Sequence, residues 1–356
     1  FGMAVSTAMI FGLVSLMFLD TSINMAMQPF KMMVGDMVNE KQKGLAYSIQ
    51  SFLCNAGSLV GFLFPFIFTW IGISNIAPQG VVPDSVIYSF YIGAAILILC
   101  VIYTTVKVKE MPPAEYAEYH GITEEEKKEK INMVKLLVKA PKAFWTVGLV
   151  QFFCWFAFMF MWTYTNGSVA ANVFDAPTVE TVVNGANKEE LDTKSIQYQN
   201  AADWVGVLFA VQAIGSVLWA VCIPMFKNRK LIYSLSLVLG GIGFISTYFV
   251  HNQYVLFISF LLIGCAWAAM LALPFTILTN ALSGGHMGTY LGLFNGTICI
   301  PQIVAATLGG SILALFTPKG MLPPEINMLV MAGVMLIIGA VCVYLIKETK
   351  GEQAKA

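Results

Sequence analysis

The sequence predicts an all-α polytopic membrane protein, and three observations carry that prediction. Hydrophobic residues make up 58% of the chain and charged residues only 11%, a balance that would be exceptional for a soluble core. Apolar runs recur from end to end, long enough to cross a hydrocarbon layer about 30 Å thick. These runs lack the alternation of barrel strands, and lipid satisfies no backbone donor or acceptor, so each run must be a helix.

Nine spans are read, at about 7–33, 45–72, 86–106, 143–166, 203–226, 231–250, 254–281, 288–316 and 325–346, separated by charged or turn-rich segments. The basic residues give their direction. Segments holding Lys31, Lys41 and Lys43, then Lys107 through Lys142, then Lys227, Arg229 and Lys230, then Lys347, Lys350 and Lys355 alternate with segments nearly free of basic charge. The rich segments are therefore expected on the cytoplasmic side of a cell membrane, the C-terminus among them. The other connections carry only Lys188, Lys194 and Lys319, and the 172–202 connection is net acidic.

The stretch 107–142, with Glu-Glu-Glu-Lys-Lys-Glu-Lys at 124–130, reads as a solvated cytoplasmic linker. It divides the chain into a three-span part, 1–106, and a six-span part, 143–356. Six helices after a charged linker is the size of one half of a two-half transporter. By the same count Phe1 falls outside, so an odd number of leading helices is expected to be missing. The chain starts in an apolar run with no basic leader, so no signal peptide is expected.

Several function classes are disfavoured. A net charge of zero gives no basic footprint for nucleic acid. The seven cysteines all lie in apolar runs without a CxxC, and His120, His251 and His286 are far apart in connecting segments, so no metal or disulfide framework is expected. No nucleophile–base pair falls on one predicted face, so an enzyme is not expected.

Polar groups inside the spans carry the functional argument, because such groups are rarely left in a bilayer without a role. Asp20 is the only carboxylate well inside any predicted span. On a helix Asn24, Met27 and Lys31 fall within roughly 40° of Asp20, while about 16 Å separates Asp20 from Lys31 and prevents their pairing. Pro29 cannot bond the carbonyl of Met25, which is expected to kink or loosen the helix beside Gln28 and Lys31. The competing reading of Lys31 is a side chain snorkelling to the cytoplasmic face.

In the second span Asn55 sits near Gly57 and Gly61, a GxxxG spacing that usually serves close helix packing. The fourth span places Gln151, Trp155, Phe158, Trp162 and Asn166 on one face. That stripe reads either as core and lipid belt or as a surface suited to the apolar faces and hydroxyl rims of sugars. Gln212, Trp267, Pro274, Asn295, Pro301 and Gln302 follow in later spans, with Asn295 and Gln302 sharing a face. Proline-interrupted helices with amides along a cavity are a feature of alternating-access transporters.

Four stretches carry a family resemblance. Leu19 through Asp36, Gln151-Phe-Phe-Cys-Trp-Phe-Ala-Phe, Gly264-Cys-Ala-Trp-Ala-Ala-Met-Leu-Ala-Leu-Pro-Phe, and His286-Met-Gly-Thr-Tyr-Leu-Gly-Leu-Phe-Asn with Pro301-Gln302 occur in this order. They resemble the fourth, seventh, tenth and eleventh helices of the sucrose/maltose-type transporters in the glycoside-pentoside-hexuronide:cation symporter group. The resemblance implies a major facilitator fold of twelve helices, of which this sequence would hold the fourth to the twelfth. It also implies proton-coupled sugar uptake with Asp20 as the proton-linked acid. Lys31 stands where that family usually has arginine, and lysine lacks the planar bidentate contacts of a guanidinium. Plant sucrose members carry acids at positions similar to Trp162 and Tyr164, a second departure.

The expected function is therefore symport of a di- or oligosaccharide with a proton. Asp20 is expected to carry the proton, and Asn24, Gln28, Lys31, Asn55, Gln151, Trp155, Asn166, Trp267, Asn295 and Gln302 to line the substrate path. No cofactor is expected, the proton gradient being the energy source. The expected partners are the sugar, protons and the lipid bilayer, around a monomer. The alternatives are a sodium-coupled or drug-exporting facilitator of the same fold and a non-transporting membrane sensor.

Overall fold

The computed structural model describes residues 2–37, 43–73, 84–109, 112, 115, 133–176, 188–226, 228–281, 287–317 and 324–346. Among them every regular element is helical. Three long helices come first: α1 (Gly2–Met37), α2 (Lys43–Trp70) and α3 (Asp84–Lys107). After the short α4 (Met133–Val138) follow α5 (Lys142–Val173), α6 (Lys188–Cys222), α7 (Arg229–Ser246), α8 (Leu256–Ala281), α9 (Met287–Phe294), α10 (Gly296–Phe316) and α11 (Ile326–Cys342). Two compact units emerge, one of residues 1–54 and 96–129, the other of 55–95 and 130–356.

Each of the nine predicted runs falls on a helix, with differences of extent, α5 for instance running on to Val173. α6 begins at Lys188, fifteen residues before the apolar run at 203, because residues 188–202 are polar yet helix-compatible. The membrane-crossing stretch within it is Gln197–Met225. Asp203 consequently lies inside a span, so Asp20 is not alone as an intramembrane carboxylate. The eighth run is divided at Asn295 into α9 and α10, a break marked in the sequence by Asn295-Gly296. By contrast, α1 continues past Pro29 to Met37.

Seven helices are long and apolar enough to cross a membrane on their described residues, and α1 and α2 contribute the shorter apolar stretches Ile10–Ala26 and Leu53–Phe64. Apolar side chains on α3 such as Ile96, Leu99 and Ile102 are exposed, as expected of a surface whose solvent is lipid.

The larger unit is built around α5, which packs against α6, α8, α10 and α11, while α7 packs against α8 and α11. Its interior is aromatic: Phe144, Phe158, Phe160, Tyr233, Phe244, Phe260 and Phe294 are fully buried. Two crossings are close enough to require glycine. A Cβ on Gly264 would overlap the Gln212 carbonyl, and one on Gly215 would lie 2.6 Å from the Leu261 carbonyl, so α6 and α8 meet backbone to backbone. α7 and α11 do the same at Gly241 and Gly333. Small residues at crossings are how membrane helices gain contact without a hydrophobic drive. Interhelical hydrogen bonds add to this, including Ser234 Oγ to the Ala340 carbonyl at 3.0 Å and Trp219 Nε1 to Ser236 Oγ at 2.8 Å.

Candidate functional site

The site in the larger unit starts with a proline. Pro274 lies inside α8 and has no amide hydrogen, so the carbonyl four residues earlier, Met270, receives no helical bond from it. Gln151 of α5 answers that carbonyl: its Nε2 donates to Met270 O at 2.8 Å. The side chain is almost fully buried, and the bond clamps the α5–α8 crossing. With one N–H engaged there, Gln151 keeps its acceptor, Oε1, buried with no hydrogen-bond partner.

One turn along α5, Trp155 presents the complementary lack. Its indole Nε1 is also buried without a partner, although the indoles of Trp204 and Trp219 both donate. A buried polar atom left unsatisfied costs about 1–3 kcal/mol. A hydroxyl, which both donates and accepts, is the group that could satisfy an orphan acceptor and an orphan donor one helical turn apart.

Aromatic rings gather around Trp155. Trp155 meets Trp267 of α8 edge to face at 5.8 Å, and Trp162 meets the same ring at 5.8 Å. Trp155 and Trp162 lie 6.4 Å apart, and Phe158 packs on Trp267 at 4.9 Å. Phe158 is fully buried and anchors the group, whereas Trp162 is 41% exposed and forms its open side. The resulting cluster is apolar, opens at Trp162 and holds the buried, unpartnered indole nitrogen of Trp155.

Of the residues expected to line a substrate path, the structure brings Gln151, Trp155 and Trp267 together. Asn166 is not with them. About 16 Å beyond Trp155 along α5, its Nδ2 donates to Tyr198 Oη at 2.9 Å and its Oδ1 is buried without a partner. Asn295 sits at the α9–α10 break, where its carbonyl accepts from the Ile298 and Cys299 amides. Gln302 and Asn55 are half-buried on α10 and α2.

In the smaller unit Asp20 is exposed on α1. Asn24, one turn on, donates from Nδ2 to the Asp20 carbonyl at 2.9 Å and to its carboxylate Oδ1 at 3.2 Å. This arrangement agrees with a shared stripe. The side chains of Gln28 and Lys31 lie outside the described residues.

Sequence reasoning puts Gln151 and Trp162 on one face of the fourth span but marks Trp267 and Pro274 apart from them, and misses that they form one construction. The signal is present in the spacing: a proline at 274 exposes the carbonyl of 270, one turn from Trp267. It also misses a partly buried carboxyl at Glu325, just ahead of the last span.

The chain belongs to the Major Facilitator Superfamily, whose family model matches residues 1–183 and again 172–356. It is thus a multi-pass membrane protein and a secondary transporter of the major facilitator type. Among curated proteins none gives a significant match.

Proposed function

We propose that this transporter carries a glycoside, a di- or oligosaccharide, inward together with a proton by alternating access. The observation that carries the reading is the orphan pair Gln151 Oε1 and Trp155 Nε1 beside the Trp155–Trp162–Trp267 surface. A sugar ring offers an apolar C–H face to stack on indole and hydroxyls that both donate and accept, so one ligand satisfies all three features. Hydroxyl recognition also gives selectivity, since a ligand lacking the hydroxyl leaves both protein atoms unsatisfied.

Asp20 supports the coupling part of the reading. A charged carboxylate at the centre of a membrane helix costs about 2.5–3.5 kcal/mol on insertion scales, so the acid is favoured as a group that loads and releases a proton. In this scheme Asp20 takes a proton when the path faces outward and gives it up inside, with Asn24 holding the carboxylate in place. Lys31, Gln28, Asn55, Asn295 and Gln302 serve as further polar positions along the route. The protein acts as a monomer in the cell membrane, with its C-terminus cytoplasmic.

Uptake of labelled disaccharides into proteoliposomes, with and without an imposed pH gradient, tests the proposal. Accumulation driven by an acidic exterior supports it. Accumulation that follows sodium instead, or export of lipophilic aromatic compounds with no sugar movement, would favour the other facilitator readings. The tryptophan surface by itself would also accept a planar drug-like molecule.

A further inference from the structure

A second polar group lies toward the C-terminal end of α5, about one turn past Trp162. Glu325 immediately precedes α11, where a carboxylate would ordinarily turn back to cap its own helix. It makes no such cap. Instead its carboxyl lies against the backbone of α5 at Gly167, so closely that a Cβ there would overlap it. The neighbouring Asn166 uses its amide nitrogen on Tyr198 of α6 and leaves Oδ1 buried with no donor. α5, α6 and α11 thus meet where the Glu325 carboxyl lies against Gly167 and the preceding residue, Asn166, holds an unanswered acceptor.

We propose that Glu325 is a proton-binding latch: when protonated, its hydroxyl donates to Asn166 Oδ1 and holds the Gly167 end of α5 to α6 and α11, and when ionised it releases them. A carboxylic acid has the donor that Asn166 lacks, and a carboxylate has none. The titratable groups that face Glu325 are the phenols of Tyr164 on α5 and Tyr198 on α6, both uncharged at neutral pH. Among the described residues no cation offsets its charge. Burial pushes the Glu325 carboxyl up from the ordinary carboxylate range, the direction the latch needs. Glu325 is itself only partly buried, so protons reach it from the surface.

The sign follows from the raised value. The protonated, fastened state is fully populated below the ordinary carboxyl range, about pH 4.3 for a free glutamate, and is lost as pH rises through the elevated value. The latch is independent of Asp20 and of the sugar reading, because it uses only contacts within the larger unit.

Hydrogen–deuterium exchange on the intact protein in proteoliposomes, corrected for the intrinsic pH dependence of exchange, reads the latch through the peptides covering 164–176 and 197–204. Protection in the wild type should fall about tenfold across the transition as pH rises, one unit of pH per decade. E325Q, which keeps an N–H donor, should stay protected at every pH, and E325A should stay unprotected. Infrared difference spectra after a pH step should show a protonated-carboxyl band that E325Q removes and that G167A, by displacing the carboxyl from α5, moves to lower pH. Protection that does not change with pH, a transition that persists in E325Q, or one that follows sodium at fixed pH would overturn the proposal. Loss of sugar uptake with these responses intact would count against the transport reading alone.

Discussion

Helix α1 and the bundle from α5 to α11 hold similar kinds of polar residue and treat them in opposite ways. In the bundle, several polar groups are answered across helices: Gln151 by Met270, Asn166 by Tyr198, Ser234 by Ala340, Trp219 by Ser236. On α1, Asp20 is answered one turn along its own helix by Asn24, and apolar neighbours such as Phe11 and Leu16 are exposed. In the bundle, therefore, a polar side chain is structural by default, and function shows in the atoms left over once structure is satisfied. On α1 the carboxylate itself is the surplus.

The contrast can be broken most severely at the backbone crossings. Gly264→Leu should separate α6 from α8 and cost several kcal/mol, since no rotamer clears the Gln212 carbonyl. The expected outcome is loss of a folded, monodisperse protein in thermal unfolding. An unchanged melting profile would refute the close crossing.

Gln151→Leu comes next. Removing the clamp leaves the Met270 carbonyl buried and unanswered, at about 1–3 kcal/mol. Adding Pro274→Ala restores an amide to that carbonyl, so the double variant should regain most of the lost thermal stability while substrate affinity stays low. Recovery of both would make Gln151 purely structural, and recovery of neither would mean that Pro274 plays no part in the clamp.

Trp155→Phe should have the smallest effect. It deletes an N–H that has no protein partner, so stability should hold or rise slightly. Glycoside affinity should fall by about tenfold, the equivalent of roughly 1.4 kcal/mol for one lost hydrogen bond. Equal losses of stability and affinity would mean the indole serves packing alone.

Much of the fold was legible because lipid enforces it. A run such as 86–106 is apolar for the same reason that Asp84–Lys107 is a helix. Legibility failed where that constraint lapses. The polar start of α6 lies ahead of the membrane-crossing stretch, and its composition alone does not distinguish a helix from a loop. The Gln151 stripe was visible from the 3.6-residue period, but whether its amide was spent or spare depended on the register of a second helix 119 residues away. Glu325 was visible only as a charge at a span edge. Its contact with Gly167 comes from tertiary packing that no local pattern encodes.

Whether the surplus carboxylate on α1 couples a proton to sugar movement is decided most directly by Asp20→Asn. Reconstituted and given an acid-outside gradient, this variant allows uphill accumulation of labelled disaccharide to be compared with exchange at equal pH in one preparation. Accumulation should be abolished while exchange across the membrane continues. Undiminished uphill accumulation by the same variant would contradict the coupling role of Asp20.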